Sequence, residues 1–206
     1  PDLVPPYLRF LRGVIDSEDL PLNISREMLQ NNPVVTKIRS ALVKRVISDL
    51  RKKLSSDKKE YLNFWNNFGP VLKEGIYEDF ERKESLLEIA LFKQSASSEL
   101  ITIEEYISKM PKKQKDIYFI TGDNYESVIN NPSLEGYKSR NINVLILDDP
   151  VDSFWTSSTP SYKEKNFKSV TQGIDDLDKL SNKTEESNNE KSVESLIVFM
   201  LSLIHI

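Results

Sequence analysis

The sequence predicts an α/β chain: the end of a packed α/β unit, then a coil of three helices, then a small sandwich built on a parallel βαβ crossover. Three observations carry that prediction. Val35, Ile38, Leu42, Val46, Leu50 and Leu54 recur every three or four residues, the spacing of one helix face. Two further stretches, 57–68 and 80–92, keep helical periodicity behind short breaks. The apolar runs 116–121 and 143–147 bracket a helical stretch and are nearly continuous, as strands covered on both faces are.

Leu3 to Gly13, apolar with Pro5-Pro6 and two arginines, closes the first α/β unit. Asn32 as N-cap and Pro33 at the first helical position open the first coil helix, of about five to six turns. Its outer side holds Lys37, Arg39, Lys44, Arg45, Arg51, Lys52 and Lys53. No aromatic residues interleave with these cations, so a solvated face is favoured over an RNA-binding one. Asp57 and Glu60 resemble a capping box for a second helix carrying Tyr61, Leu62, Phe64, Trp65 and Phe68 as core, expected to stop at Gly69-Pro70. Gly75 breaks the next piece, and Leu86, Leu87, Ile89 and Ala90 restore helical spacing within Phe80–Phe92.

The polar stretch Ser95–Glu99 marks a boundary, and Thr102 with Glu105 is a second capping box. The first strand of the crossover turns at Gly122-Asp123-Asn124 into a helix near Tyr125–Asn130, interrupted at Pro132 and followed by another over Leu134–Ser139. Phe167–Val170 is expected as an edge strand. Residues 173–192 are dominated by Asp, Glu, Lys, Ser and Asn and read as a mobile linker. The apolar run Leu196–Leu201 that follows is too short to span a bilayer, which takes about 20 residues. The expected units are therefore 1–31, 32–94, 95–172, 173–192 and 193–206.

Composition narrows the function classes. The 206 residues are 38% hydrophobic and 29% charged, a globular mixture. A net charge of −4 gives no overall pull toward nucleic acid or anionic lipid. With no cysteine, disulfides and thiolate metal sites are excluded, and a reducing cytoplasm is compatible. The one histidine, His205, leaves no His-based catalysis or multi-His metal site within the chain. The chain opens on Pro1, with no initiator Met and no signal-peptide pattern, and reads as a segment of something longer.

The chemistry concentrates in 16–30, where the acidic run Asp16-Ser17-Glu18-Asp19 leads through Pro21 into a helical turn. Arg26 and Gln30, four apart, share one face of that turn. A guanidinium sits poorly at the positive end of a helix, so Arg26 is either aimed at an outside anion or paired with a carboxylate such as Glu27. Elsewhere the turn at Gly122 lacks both GxGxxG and GxxxxGK[ST], which argues against a nucleotide site there. Asp148, Asp149 and Asp152 form an acidic knot that suits either Mg²⁺ or helix capping after Pro150; capping is favoured and no metal is expected. Phe154 and Trp155 on the next helix are either an apolar contact patch or core.

The segment from Val14 to Gln30 resembles the catalytic-loop signature of the heat-shock-protein-90 chaperone family, nearest to its bacterial branch. Tyr7-Leu8-Arg9-Phe10-Leu11-Arg12-Gly13, Phe64-Trp65, Phe68 to Gly75, Ile117 to Gly122 and Val144 to Pro150 extend the likeness over about Leu3–Leu180. Leu91 departs from it, standing where the family usually has a basic residue. The resemblance implies the end of a large αβα layer, the coil and a smaller αβα sandwich of a middle domain. It implies an ATPase chaperone parent in which Arg26 reaches the ATP γ-phosphate in a separate N-terminal domain that also holds Mg²⁺. Gln30 would help place the loop or the attacking water, and Asn23 would hold the loop's shape.

Further expectations follow from the likeness: client contact at Phe154 and Trp155, homodimerisation through a C-terminal domain whose first helix begins near Val193, a cytoplasmic location, and neither nucleic acid nor membrane as partner. This piece alone should be inactive. Residues 201–206 do not fit the family and look like translated adapter sequence. The rival readings are a stand-alone interaction module without ATPase linkage, or an RNA binder using the basic helix.

Overall fold

The computed structural model describes residues 3–16 and 32–171. A 3₁₀ turn, Pro6–Leu8, packs onto three helices: α1 (Pro33–Ser56), α2 (Lys58–Glu78) and α3 (Lys83–Ile89). The rest of the described chain winds a five-stranded sheet from β1 (Lys93–Gln94), β2 (Ile117–Thr121), β3 (Leu145–Leu147), β4 (Ser161–Tyr162) and β5 (Lys165–Ser169), in the order β1-β3-β2-β5-β4. Helix α4 (Ile103–Ser108) precedes β2, α5 (Tyr125–Ile129) and α6 (Glu135–Lys138) join β2 to β3, and α7 (Asp152–Ser158) leads from β3 to the β4–β5 hairpin.

The expected crossover is present: β2 pairs with β3 in parallel, Phe119 opposite Leu145 and Ile120 opposite Ile146. Alternation sorts their side chains onto two faces. Ile117, Phe119, Leu145 and Leu147 pack with the coil and α7, while Tyr118, Ile120, Val144 and Ile146 pack with Val128, Leu134 and Tyr137. Both faces are covered, which is why these strands read as unbroken apolar runs. Caps mark the helix starts: Asn32 accepts from the Val34 N–H, Asp57 from the Glu60 N–H, and Thr102 and Glu105 form a reciprocal capping box.

Four expectations need correcting. Helix α2 does not stop at Gly69-Pro70 or break at Gly75; it runs on to Glu78. Tyr61, Trp65, Leu72 and Ile76 continue one buried stripe, and that burial outweighs the local cost of glycine and proline. The third helix is shorter than 80–92, because Asp79 ends α2 and Phe92 joins a bridge to Ile101. Strand β5 is interior: it pairs in parallel with β2, Ile117 opposite Phe167, and antiparallel with β4, which takes the edge. Finally, β1 starts the sheet at Lys93, within the stretch assigned to the coil, by antiparallel pairing with β3.

The basic side of α1 is partly neutralised within the chain. Arg45 pairs with Asp49 of its own helix, Arg51 with Glu88 of α3 and Lys53 with Glu60 of α2. Among the described residues no helix is long and apolar enough to cross a membrane.

Candidate functional site

Arg26, Gln30 and Asn23 lie outside the described residues, and what the structure gives is the footing on either side of their segment. Upstream, Tyr7 is fully buried in the 3₁₀ turn and its hydroxyl donates to Asp79 Oδ2 at 2.5 Å. Its ring lies where a side chain at position 75 would sit: a Cβ on Gly75 would come within 2.7 Å of Tyr7 Cγ and Cδ2. Burial first, and then the bond to Asp79, push the Tyr7 hydroxyl well above the usual phenol range, so it stays a donor.

Arg9 grips Glu74 of α2 with both terminal nitrogens, one of them at 2.8 Å, and this bond holds the Glu74 carboxyl below its ordinary range. Phe10 rests against Phe64 and Phe68, with ring centroids 5.3 and 5.0 Å away. Beyond that the chain leaves the body, and Val14 is 97% exposed. Downstream, the Asn32 cap and Pro33 fix the start of α1.

The predicted aromatic pair divides. Trp155 is in the core, 0% exposed, between the rings of Phe92 and Phe167, and its indole N–H donates to Asp152 Oδ1 at 2.6 Å. Phe154 is 59% exposed, because neighbouring positions on a helix point about 100° apart. Its neighbour is Tyr77 of α2, 52% exposed with ring centroids 6.1 Å apart. Together with Glu74, Glu78, Pro150 and Val151 they line a shallow cleft of about 380 Å³. Sequence reading missed Tyr77 because it ended the helix eight residues too early; continuing the helix would have put Tyr77 three residues after Glu74, on the same side.

The acidic knot is drawn onto two lysines, and at the start of α7 the Asp149 backbone N–H donates to Asp152 Oδ2 at 3.1 Å. Lys73 of α2, only 3% exposed, places its ammonium 2.6 Å from Asp149 and 3.0 Å from Asp152. Burial works against the Lys73 charge, but the two carboxylates outweigh it and hold its pKa above the ordinary lysine value. Burial pushes the Asp152 carboxyl up, while Lys73 and the Trp155 N–H pull against that. Asp148 turns to Lys93 at 2.5 Å. The N-cap of helix α7, Val151, offers no side-chain cap. The knot therefore ties α2 of the coil to the end of β3, directly behind the Tyr77–Phe154 cleft.

Among the described residues no group of three or more His, Cys, Asp or Glu could hold a metal ion. The turn after β2 has the single glycine Gly122 and no run of backbone donors for a triphosphate.

A family model described as Hsp90 protein matches residues 1–205. The chain is 49% identical over 193 residues to the chaperone protein HtpG of Paramagnetospirillum magneticum, covering 94% of this chain and 31% of that protein. It is 47% identical over 210 residues to HtpG of Wolbachia pipientis, covering 98% and 33%. The chain thus spans about a third of the length of these relatives. Among solved structures it is similar to the middle domain of a Plasmodium falciparum heat shock protein, with a TM-score of 0.71 at 30% identity, covering 84% of this chain and 67% of that one.

Proposed function

The chain belongs to the Hsp90 family and forms a middle-domain portion of one of its chaperones; from that premise we propose that it completes the ATP site of a parent ATPase. In this reading ATP and Mg²⁺ are held by a separate N-terminal domain. Arg26 meets the γ-phosphoryl group and stabilises the charge that develops there, the task of an arginine finger. Gln30 helps set the loop or the attacking water, and Asn23 keeps the loop's shape. The contiguous motif Val14–Gln30, mounted between a clamped stem and a capped helix start, is what supports this most. The parent is further taken to be a cytoplasmic homodimer, joined through a C-terminal domain, that remodels non-native proteins.

The client surface proposed here is Phe154 with Tyr77, not Phe154 with Trp155. An exposed aromatic pair over a shallow apolar cleft suits exposed side chains of a partly unfolded protein. Adding this chain in trans to the matching isolated N-terminal domain tests the ATPase reading. Hydrolysis should rise with the wild-type chain and stay at the basal rate with Arg26→Ala, at unchanged nucleotide affinity. Equal stimulation by both would contradict the role given to Arg26, and no stimulation by either would leave a stand-alone interaction module as the better account.

A further inference from the structure

The Tyr77–Phe154 cleft stands on two elements far apart in sequence, and its shape depends on how they are held together. Tyr77 belongs to α2 and Phe154 to α7. Both rings are about half exposed, so their own packing does little to fix their places. Their centroids nevertheless lie 6.1 Å apart, within the range of an interacting aromatic pair.

The fixing comes from behind. Lys73 lies one turn before Tyr77 on α2, on the same side of the helix. Its ammonium passes over the Phe92 ring, 5.0 Å from the centroid, to reach Asp149 at 2.6 Å and Asp152 at 3.0 Å. Asp152 opens α7, two residues before Phe154. Its carboxylate also takes the Trp155 indole N–H at 2.6 Å and the Asp149 backbone N–H at 3.1 Å. Trp155 in turn is wedged between Phe92 and Phe167. The place of α7 against α2 and its rotation about its own axis are therefore both set at one carboxylate. A helix that cannot rotate presents Phe154 about 100° round from Trp155, and here that direction meets Tyr77.

Burial makes the link stiff. The side chains of Lys73 and Asp152 are 3% and 1% exposed. Charge-assisted bonds are short and directional, and shielding from water strengthens them. Without the ammonium, two carboxylates would be left together in a shielded site, an arrangement relieved by parting α7 from α2.

We infer that Lys73, acting with Asp149 and Asp152, is a positioning residue for the client surface, holding α2 and α7 at the spacing and rotation that pair Tyr77 with Phe154. This rests on the client surface proposed above. The test is a double-mutant cycle in the full-length parent chaperone, with Lys73→Met, Phe154→Ser and their combination. Asp149→Asn is a milder second variant, because it keeps the buried Lys73–Asp152 pair, and it decides the matter if Lys73→Met does not fold. The probe is reduced, carboxymethylated α-lactalbumin, a permanently unfolded protein. Its Kd is read by fluorescence anisotropy, and the melting temperature is read for each variant.

With Phe154 in place, Lys73→Met should weaken binding about 5-fold and Asp149→Asn about 2-fold, within what a lost aromatic pairing is worth. In the Phe154→Ser background either change should move Kd less than about 1.5-fold, because groups that act as a unit are not additive. The inference is overturned if the knot variants bind the probe at the wild-type Kd. It is overturned equally if they lose the same factor with and without Phe154, the mark of a merely structural residue. Phe154→Ser at the wild-type Kd would instead sink the client-surface reading, and the inference with it. The cycle separates these failures.

Discussion

At residue scale, one position along a helix separates a core group from a surface one. Trp155 fills the space between Phe92 and Phe167, whereas Phe154 faces Tyr77 and solvent. Phe154→Ser should therefore leave the melting temperature nearly unchanged and weaken retention of an unfolded client protein. Trp155→Ser should cost about 3–5 kcal/mol, the range for emptying a large aromatic site in a core, measured by urea denaturation. The sequence showed two adjacent aromatics but not which one faced inward, because α7 is only seven residues and too short to display a face by periodicity.

A second residue-scale expectation concerns acid. The bond from Arg9 holds the Glu74 carboxyl below its ordinary value of 4.5 in the folded chain. A carboxyl depressed by folding adds stability above its unfolded pKa and loses it as pH falls through the folded pKa. The stability gap between the wild type and Glu74→Gln should thus be constant from neutral pH down to about 4.5 and close below it. A gap that widened in acid would contradict the pairing.

At element scale, strong local signals were legible and tertiary overrides were not. The caps at Asn32, Asp57 and Thr102 stand in the sequence and all accept their N–H partners in the fold, while Asn124, read only as part of a turn, caps α5 as well. Helix α2 defied its own breakers because its stripe is paid back by burial, with Tyr61 reaching the Ile89 carbonyl at 2.5 Å. Strands β1 and β4, two residues each, leave no pattern to find. The β4–β5 turn is hidden for another reason. Lys163 and Glu164 both have positive φ, 43° and 65°, where Asn-Gly is the usual choice. Lys163 is tethered to Glu104, and Tyr162 donates to the same carboxylate at 2.8 Å, so tertiary contacts hold a turn the residues disfavour. Glu164→Gly should relieve that cost and raise stability by about 1 kcal/mol. Unchanged or lower stability would mean the turn is not strained.

At the scale of the molecule, the described coil and sheet share one core. A single cluster runs from Tyr7 and Leu8 through Tyr61, Trp65 and Leu87 to Trp155 and Tyr162, and the Lys73–Asp149–Asp152 knot bridges the same junction. The fold class and the βαβ unit were readable in advance because periodicity and strand composition are local. Lys73's partners, 76 and 79 residues away, were not, because nothing local marks a long-range ion pair. The proposed site was legible only as a motif: Arg26, Asn23 and Gln30 were named from sequence and lie outside the described residues, and the framework describes only the elements before and after them. The measurement that bears most directly on that site is ATP turnover by the full-length parent with Arg26→Ala at saturating ATP. Loss of a donor to developing charge should lower kcat about 100-fold or more with little change in ATP affinity, and turnover at the wild-type rate would contradict the account.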